Sequence, residues 1–173
     1  IATCGLVGAT ACAPPPAPTP SATPPQAAAP SGPHLHLALT ALTTTNVERT
    51  AIDATVETWP RGGAGPVLYA TESHGGGPQP SACVPNVTLM FAAVPAPGDA
   101  QRVGDDAQIF IEAHCGSAGE IRSWRGVDGT VTTQQEASGT RVHVTGVTME
   151  PSCDDTKGEG RYVVDGVFTN LAL

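Results

Sequence analysis

The sequence is poor in charge and in aromatic side chains, and positive charge is especially scarce. Of 173 residues only 8 are Lys or Arg, against 16 Asp or Glu, which gives a net charge of −8 at pH 7. Nucleic-acid-binding domains carry a basic patch that neutralises phosphates, so nucleic acid is not expected as a partner. The acidic balance instead favours a solvated, self-repelling surface that keeps the domain soluble.

Helical periodicity is also missing, and no apolar stretch is long enough to span a bilayer. No segment repeats its apolar residues with the 3.6-residue period of an amphipathic helix, which argues against a helical fold. The apolar run at the amino end, "IATCGLVGATA", is shorter than the ~20 residues that a spanning helix needs. Charge is absent there too, because every charged residue lies at Glu48 or later.

Proline is abundant but confined largely to one segment near the amino end. Nine prolines and no charged residue lie between Pro14 and Pro33. A run without aromatic or β-branched bulk buries too little apolar surface to offset the entropy lost on ordering. We therefore expect a disordered tail rich in proline and alanine, followed by a single folded domain over residues 34–173, a length that supports one hydrophobic core.

The tetrapeptide "ATAC" (Ala9-Thr10-Ala11-Cys12) resembles the lipobox of bacterial lipoproteins. The resemblance implies that Cys12 receives a diacylglycerol after cleavage just before it, although Ala9 stands where leucine is usual. "IATC", ending at Cys4, is a competing box, and a secreted precursor cut after Ala11 or Ala13 is the alternative.

The lipoprotein resemblance divides the amino end into two predicted parts. Residues 1–11 are expected to be the end of a signal peptide, and residues 12–33 the lipidation site and tether. In polyproline geometry, at about 3.1 Å per residue, the tether reaches up to ~65 Å. The implied location is the cell envelope, facing the periplasm or the exterior, with the lipid bilayer as a partner through acylated Cys12.

The remainder reads as β-strands separated by turn signals. "HLHLALTAL" alternates Leu35, Leu37 and Leu39 with polar or small residues, which is the period of a half-buried strand. "TAIDATVET" and "AQIFIEAHC" give similar strands, "VTLMFAAV" is apolar on both faces as expected of a central strand, and further candidates follow to the carboxyl end. About eight or nine strands predict an all-β fold, a single antiparallel β-sandwich or β-barrel.

Glycines predict where strands turn or bend. Asp128-Gly129 is the type of dipeptide that favours a tight hairpin, so it is expected to join 121–126 to 130–136. Ser138-Gly139 predicts the next turn. Gly146 lies where the apolar residues of its strand change parity, and a bulge there would keep them all facing inward. Gly166, in a similar stretch 20 residues later, is expected to act alike.

Cysteine pairing is expected in an exported domain. If Cys12 is acylated, three thiols remain in the folded part. The hairpin that joins Val94 to Ala107 would bring Cys83 close to Cys115 at its open end, which makes this the favoured disulfide. The alternative is Cys115 with Cys153.

Three groups of residues are candidates for binding chemistry. His34 and His36 lie two apart on one strand face and would suit Zn²⁺ or Cu²⁺, with His74, His114 or His143 completing the site. Loop carboxylates offer oxygens that Ca²⁺ prefers, and they are Asp105, Asp106, Asp154, Asp155 and Glu159. A binding patch on an outward strand face is predicted from Trp124, Arg122, Arg125, Arg141 and His143.

The sequence favours a non-catalytic binding or structural module, with an unknown envelope protein or ligand as its partner and no cofactor. An exported hydrolase or metal-dependent enzyme is the alternative, and an inhibitor or carrier of a small ligand in a barrel mouth is another. A deep apolar cavity would favour the carrier, whereas a filled core with shallow grooves would favour the module.

Overall fold

The computed structural model describes residues 31–46, 49–61, 64–72, 83–116, 119–152 and 157–173. The lipobox with Cys12, the histidine at 74, and the residues 153–155 that include Cys153 lie outside the described residues. Among the described residues, no helix has the length and apolarity to cross a membrane.

The described part of the chain contains nine β-strands, and every pairing between these strands is antiparallel. Their bounds are β1 His34–Ala41, β2 Ala51–Trp59, β3 Val67–Thr71, β4 Val84–Phe91, β5 Ala100–Arg102, β6 Ala107–Cys115, β7 Glu120–Glu136, β8 Gly139–Pro151 and β9 Tyr162–Leu171. The predicted all-β class and strand number are confirmed.

Eight of the strands close into an up-and-down barrel. Each strand pairs with the next along the chain, except that β4 pairs with β6, and β9 closes the ring by pairing with β1. The short β5 lies outside the ring and extends it along the second half of β7. The open choice between sandwich and barrel is therefore resolved in favour of the barrel, which leaves none of its eight strands without a neighbour on both sides.

The barrel interior is built from the apolar side of the predicted alternation. Leu35, Leu37 and Leu39 on β1 face inward and are buried, while the residues between them face outward. The same period-two pattern buries alternate residues of β2, β4 and β6. Barrels of eight strands have an interior that is filled by side chains or that holds one small ligand.

The predicted hairpin at Asp128-Gly129 is wrong, because β7 runs through this dipeptide as one continuous strand of 17 residues. The register against β8 shifts between Gly126 and Thr130 instead, so the dipeptide forms a bulge. A Cβ on Gly129 would lie 2.6 Å from the Cα of Val147, and its φ is +118°. The bulge reverses the parity of β7, so that Trp124 and Val131 both face inward.

The predicted bulge at Gly146 is confirmed. The β8–β9 register shifts between Val144 and Val147, the φ of Gly146 is +59°, and the valines on both sides of it are buried. Gly166 behaves differently from the prediction, since it pairs in register with Val144. A Cβ there would lie 2.2 Å from the carbonyl oxygen of His36, so close strand packing explains this glycine.

The predicted Ser138-Gly139 turn is confirmed, with Glu136 pairing opposite Gly139. The disulfide Cys83–Cys115 is confirmed as well. It joins the start of β4 to the end of β6, although the hairpin closes at Phe91 opposite Ala107, three residues earlier than predicted.

The described chain enters and leaves the barrel at the same end. Residues 31–33 enter β1 at the end where β2 and β9 finish, and Asn170 donates a hydrogen bond to the carbonyl oxygen of Gly32 there at 3.2 Å. The opposite end is formed by the finish of β1, β3, β6 and β8 and the start of their partners. We call it the distal end, because it lies away from residues 31–33.

Candidate functional site

An apolar cavity occupies the distal end of the barrel. Among the described residues it has a volume of about 140 Å³. Its lining comes from six strands and from the segments that flank them, and comprises Leu39, Asn46, Arg49, Ile52, Cys83, Pro85, Ile111, Ala113, Arg122, Trp124 and Tyr162. The inward positions of these strands thus leave a space at the distal end instead of filling it.

The wall of the cavity contains two large aromatic side chains in contact. Trp124 from β7 and Tyr162 from β9 are each 1% exposed. Their ring centroids lie 5.7 Å apart with an interplanar angle of 62°, the edge-to-face arrangement that aromatic quadrupoles favour. Leu39, Ile52 and Ile111 are also buried in this wall, which makes its surface mostly hydrocarbon.

Both aromatic residues carry a polar atom that has no hydrogen-bond partner among the described residues. These atoms are the indole Nε1 of Trp124 and the hydroxyl oxygen of Tyr162. Burial without a partner raises the pKa of Tyr162, because the apolar surroundings penalise the phenolate. Buried Trp and Tyr polar atoms ordinarily find partners, so these two atoms are exceptions among the described residues.

The connection between β8 and β9 covers part of the indole ring. The backbone N of Ser152 donates to the carbonyl of Ser123 at 3.0 Å, and that of Lys157 donates to Ile121 at 3.2 Å. A Cβ on Gly158 would lie 3.2 Å from Trp124 Cε2 and 2.5 Å from the Ser123 carbonyl oxygen. Only a glycine allows the connection to pass this close.

The rim of the cavity is polar and carries paired charges. Arg122 Nε donates to Glu120 Oε1 at 3.0 Å, and its Nη1 donates to the carbonyl oxygen of Asn46 at 2.9 Å. Lys157 Nζ contacts the other Glu120 oxygen at 3.3 Å. The hydrogen bond from Arg122, followed by that from Lys157, lowers the pKa of Glu120.

A second ion pair lies on the same rim, between Arg49 and Glu72. Both arginine side chains that line the cavity are therefore already bound to a carboxylate, and their side chains are 33% and 21% exposed for Arg49 and Arg122. The cavity thus combines an apolar interior with a rim whose charges are largely compensated.

The structure divides the predicted surface patch into two parts. Trp124 and Arg122 do share a strand face, but the face lines the cavity, so the predicted outward position of Trp124 is wrong. Arg141 and His143 lie on β8 beyond the bulge, half-buried and alternating with the inward Val142 and Val144. The error arises because the Gly129 bulge changes which parity of β7 faces inward.

The predicted metal pair lies on the outer wall. His36 Nδ1 lies 2.7 Å from Asp53 Oδ1, and His34 Nε2 lies 3.7 Å from the same oxygen. Within the described parts of the chain no group of three or more His, Cys, Asp or Glu residues is placed to hold a metal ion. The Zn²⁺, Cu²⁺ and Ca²⁺ sites therefore stay predictions. Of the carboxylates named for Ca²⁺, Asp105 is exposed in its loop.

Tyr162, Leu39, Ile52 and Ile111 are among the cavity residues that sequence reasoning did not select as functional. The alternation around Leu39, Ile52 and Ile111 predicts an inward face, which is equally the pattern of a filled core. Comparison with models of protein families, with curated proteins and with solved structures found no match.

Proposed function

We propose that this chain is a lipid-anchored cell-envelope protein whose barrel binds a small apolar ligand in its distal cavity. The observation that carries the ligand-binding part is the cavity itself, which is lined mainly by apolar side chains of the described residues. Apolar pockets with a few polar groups are the usual form of small-molecule sites. The anchoring part is supported by the lipobox-like sequence at Cys12 and the proline-rich segment that follows it.

The size of the cavity limits the ligand. An engineered apolar cavity of about 150 Å³ stays dry and binds benzene, and the distal cavity measures about 140 Å³. A molecule of about one six-membered ring therefore suits it. Such a ligand gains stabilisation from each apolar group that it removes from water, at roughly 25 cal/mol per Å².

The catalytic alternative finds little support in the geometry. The contacts of His34 and His36 with Asp53 lie on the outer wall, where the side chains of His36 and Asp53 are more than half exposed. The cavity is lined mainly by hydrocarbon and by arginines that are already paired. A carrier, or a module that senses a small molecule, suits this lining better than a hydrolase.

Benzene binding tests the ligand-binding part. We expect wild-type protein to bind benzene by isothermal titration, and Ala113→Leu, which places a larger side chain in the cavity wall, to weaken that binding by at least ~10-fold. Ala41→Leu is the matched control, because Ala41 is exposed at the end of β1. Equal binding by all three proteins would show that benzene does not use this cavity, and no binding by wild type would contradict the proposal.

Detergent phase partitioning tests the anchoring part independently. Wild-type protein made in a bacterial host is expected to enter the detergent phase, whereas Cys12→Ser should stay in the aqueous phase. Cys4→Ser serves as the matched control for the competing lipobox. If wild type and Cys12→Ser both remain aqueous, Cys12 does not carry the lipid.

A further inference from the structure

We infer that the distal cavity opens where the β1–β2 connection meets the β8–β9 connection, and that Asn46 is the latch of this gate. The gate consists of residues 42–46 and 157–161, which follow β1 and precede β9. Asn46 is also one of the residues that line the cavity. The inference rests on the proposed function, because it specifies how a ligand enters and leaves the same cavity.

The side chain and backbone of Asn46 bind two other parts of the chain. Its Nδ2 donates to the carbonyl oxygen of Lys157 at 2.7 Å, and its Oδ1 accepts from the backbone N of Glu159 at 3.0 Å. Its carbonyl oxygen accepts from Arg122 Nη1 at 2.9 Å. Asn46 therefore joins the β1–β2 connection to the β8–β9 connection and to β7.

The two connections also contact each other at the base of the gate, where they leave β1 and β9. The backbone N atoms of Leu42 and Thr43 donate to the carbonyl oxygen of Arg161 at 2.9 and 3.2 Å. In return, the backbone N of Arg161 donates to Thr43 Oγ1 at 2.8 Å. A Cβ on Gly160, whose φ is +75°, would collide with the carbonyl oxygen of Thr44, so only glycine allows this approach.

Other parts of the cavity wall are held more firmly than the gate. Cys83 lines the cavity and is bonded covalently to Cys115, so the start of β4 cannot separate from the end of β6. The strands around the cavity are held by continuous ladders, such as the pairing of β1 with β9. Among the described residues the gate has neither a ladder nor a disulfide. Segments held by a few solvent-exposed hydrogen bonds open at a lower free energy than core strands.

A gate has a kinetic signature that differs from that of a ligand contact. If the ligand passes only while the gate is open, then the frequency of opening limits both association and dissociation. Loosening the latch raises both rates together and leaves the Kd nearly unchanged, as long as the open form stays the minor one. Loss of a ligand contact instead raises mainly the dissociation rate.

Asn46→Asp tests the latch, because it keeps the size of the side chain and removes the amide that donates to Lys157. Fluorobenzene is the probe, since ¹⁹F exchange spectroscopy measures its binding and release. We expect its association and dissociation rates to rise together by roughly 5-fold, the factor that about one net hydrogen bond produces. The Kd should stay within about 2-fold of wild type.

Asn170→Asp is the matched control at the other end of the barrel. The Nδ2 of Asn170 donates to the carbonyl oxygen of Gly32 at 3.2 Å, so the same substitution again removes an amide that binds a backbone carbonyl. Asn170 is not among the residues that line the cavity. This variant should release and bind fluorobenzene at the wild-type rates.

Thr43→Val provides a second test that leaves the cavity lining unchanged. Thr43 is exposed and does not line the cavity, and valine has a similar shape but cannot accept from the backbone N of Arg161. Both rates should rise by roughly 3-fold. Thr169→Val is its control, because Thr169 Oγ1 donates to the carbonyl oxygen of His34 at 3.4 Å, away from the gate. This pair decides the inference if Asn46→Asp does not fold.

The outcomes separate the inference from the proposed function. Wild-type rates in both Asn46→Asp and Thr43→Val overturn the gate and leave ligand binding intact. Equal acceleration in the gate variants and in their controls also overturns it, because the rates would then follow overall stability. A rise in the dissociation rate alone overturns it as well, since Asn46 would then be a ligand contact. Failure of wild type to bind benzene or fluorobenzene overturns the proposed function, and the inference with it.

Discussion

A tyrosine hydroxyl that is buried without a partner loses its hydrogen bonds to water and gains none in the folded protein. This loss costs about 1–3 kcal/mol. The Tyr162 hydroxyl has no hydrogen-bond partner among the described residues, and neither has the indole nitrogen of Trp124. A core selected only for stability would have phenylalanine at 162, since the ring packs equally well without the hydroxyl. Trp124 and Tyr162 therefore each keep one buried polar atom within the apolar part of the cavity wall.

Tyr162→Phe is expected to raise the free energy of unfolding of the ligand-free protein at pH 7 by about 1 kcal/mol, because it removes an unpaired polar atom. The folded state raises the pKa of Tyr162 above its usual value. The free energy of unfolding of wild type therefore has its full value, as far as Tyr162 is concerned, below the ordinary tyrosine pKa of about 10. It falls as the pH rises above that value. Urea denaturation at pH 7, 9 and 11 measures both effects.

The variant should lose part of the alkaline destabilisation that wild type shows between pH 9 and 11. Tyr69→Phe, the other tyrosine variant, should follow the wild-type curve. A Tyr162→Phe protein that is several kcal/mol less stable than wild type at pH 7 would mean that the hydroxyl has a partner in solution.

At the scale of strands, alternation predicts which residues of β1, β2 and β6 face inward, because a strand with one buried face fixes its own parity. The same reasoning fails on β7. A turn and a bulge share their preference for glycine, so Asp128-Gly129 does not by itself distinguish a hairpin from one long bulged strand. The position of Trp124 depends on that choice.

The cavity could not be predicted from the sequence for a related reason. Leu39, Ile52 and Ile111 have the pattern of core residues in either case. A cavity depends on how eight strands close and on how much volume their inward side chains leave at one end. Pairing between β1 and β9 determines this, and it joins residues more than 120 positions apart in the sequence.

Two bulge glycines form a matched pair of test sites. Gly129→Ala is expected to destabilise the barrel by about 3 kcal/mol, because the new Cβ meets the backbone of Val147 and the φ of +118° is strained. Gly146→Ala should cost only about 1 kcal/mol, since its φ of +59° is left-handed but no atom lies within 4 Å. Thermal and urea denaturation compare them, and equal losses would contradict the packing argument.

The Cys83–Cys115 disulfide connects residues 32 apart in sequence. Its removal is expected to lower the free energy of unfolding by about 2–4 kcal/mol. Because Cys83 also lines the cavity, benzene affinity should fall as well. Cys83→Ala with Cys115→Ala, measured by urea denaturation, checks the size of the effect.

Reductant provides the internal control for the disulfide. Wild type should become as unstable as the double variant when reduced, and the double variant should not respond. A double variant that still loses stability on reduction would show that another disulfide contributes.

At the scale of the whole molecule, the chain returns to its starting point when β9 pairs with β1. Eight residues of β1 pair with β9, and Asn170 reaches the backbone of Gly32. Strands that are distant in sequence are therefore held together without a long crossover. The folded domain depends on the pairing of its ends and not on the covalent position of its termini.

A circular permutant tests this dependence. A flexible linker would join residue 173 to residue 31, with new termini placed between Ala137 and Ser138 in the tight turn between β7 and β8. We expect a far-UV circular dichroism spectrum like that of wild type and a single cooperative urea transition. Deleting β9 instead should abolish the transition, because both β1 and β8 lose a partner.

Residues 31–33, which enter β1, and the cavity lie at opposite ends of the barrel, and this has a consequence for how a ligand would arrive. A barrel held by its tail on a membrane would present the cavity toward the aqueous compartment, up to ~65 Å of tether away from the lipid. Ligands would then arrive by diffusion through water, not from within the bilayer. The ligand could then be exchanged with another exported protein as readily as it is captured from solution. In this arrangement the ligand does not have to pass the membrane-anchored end of the barrel.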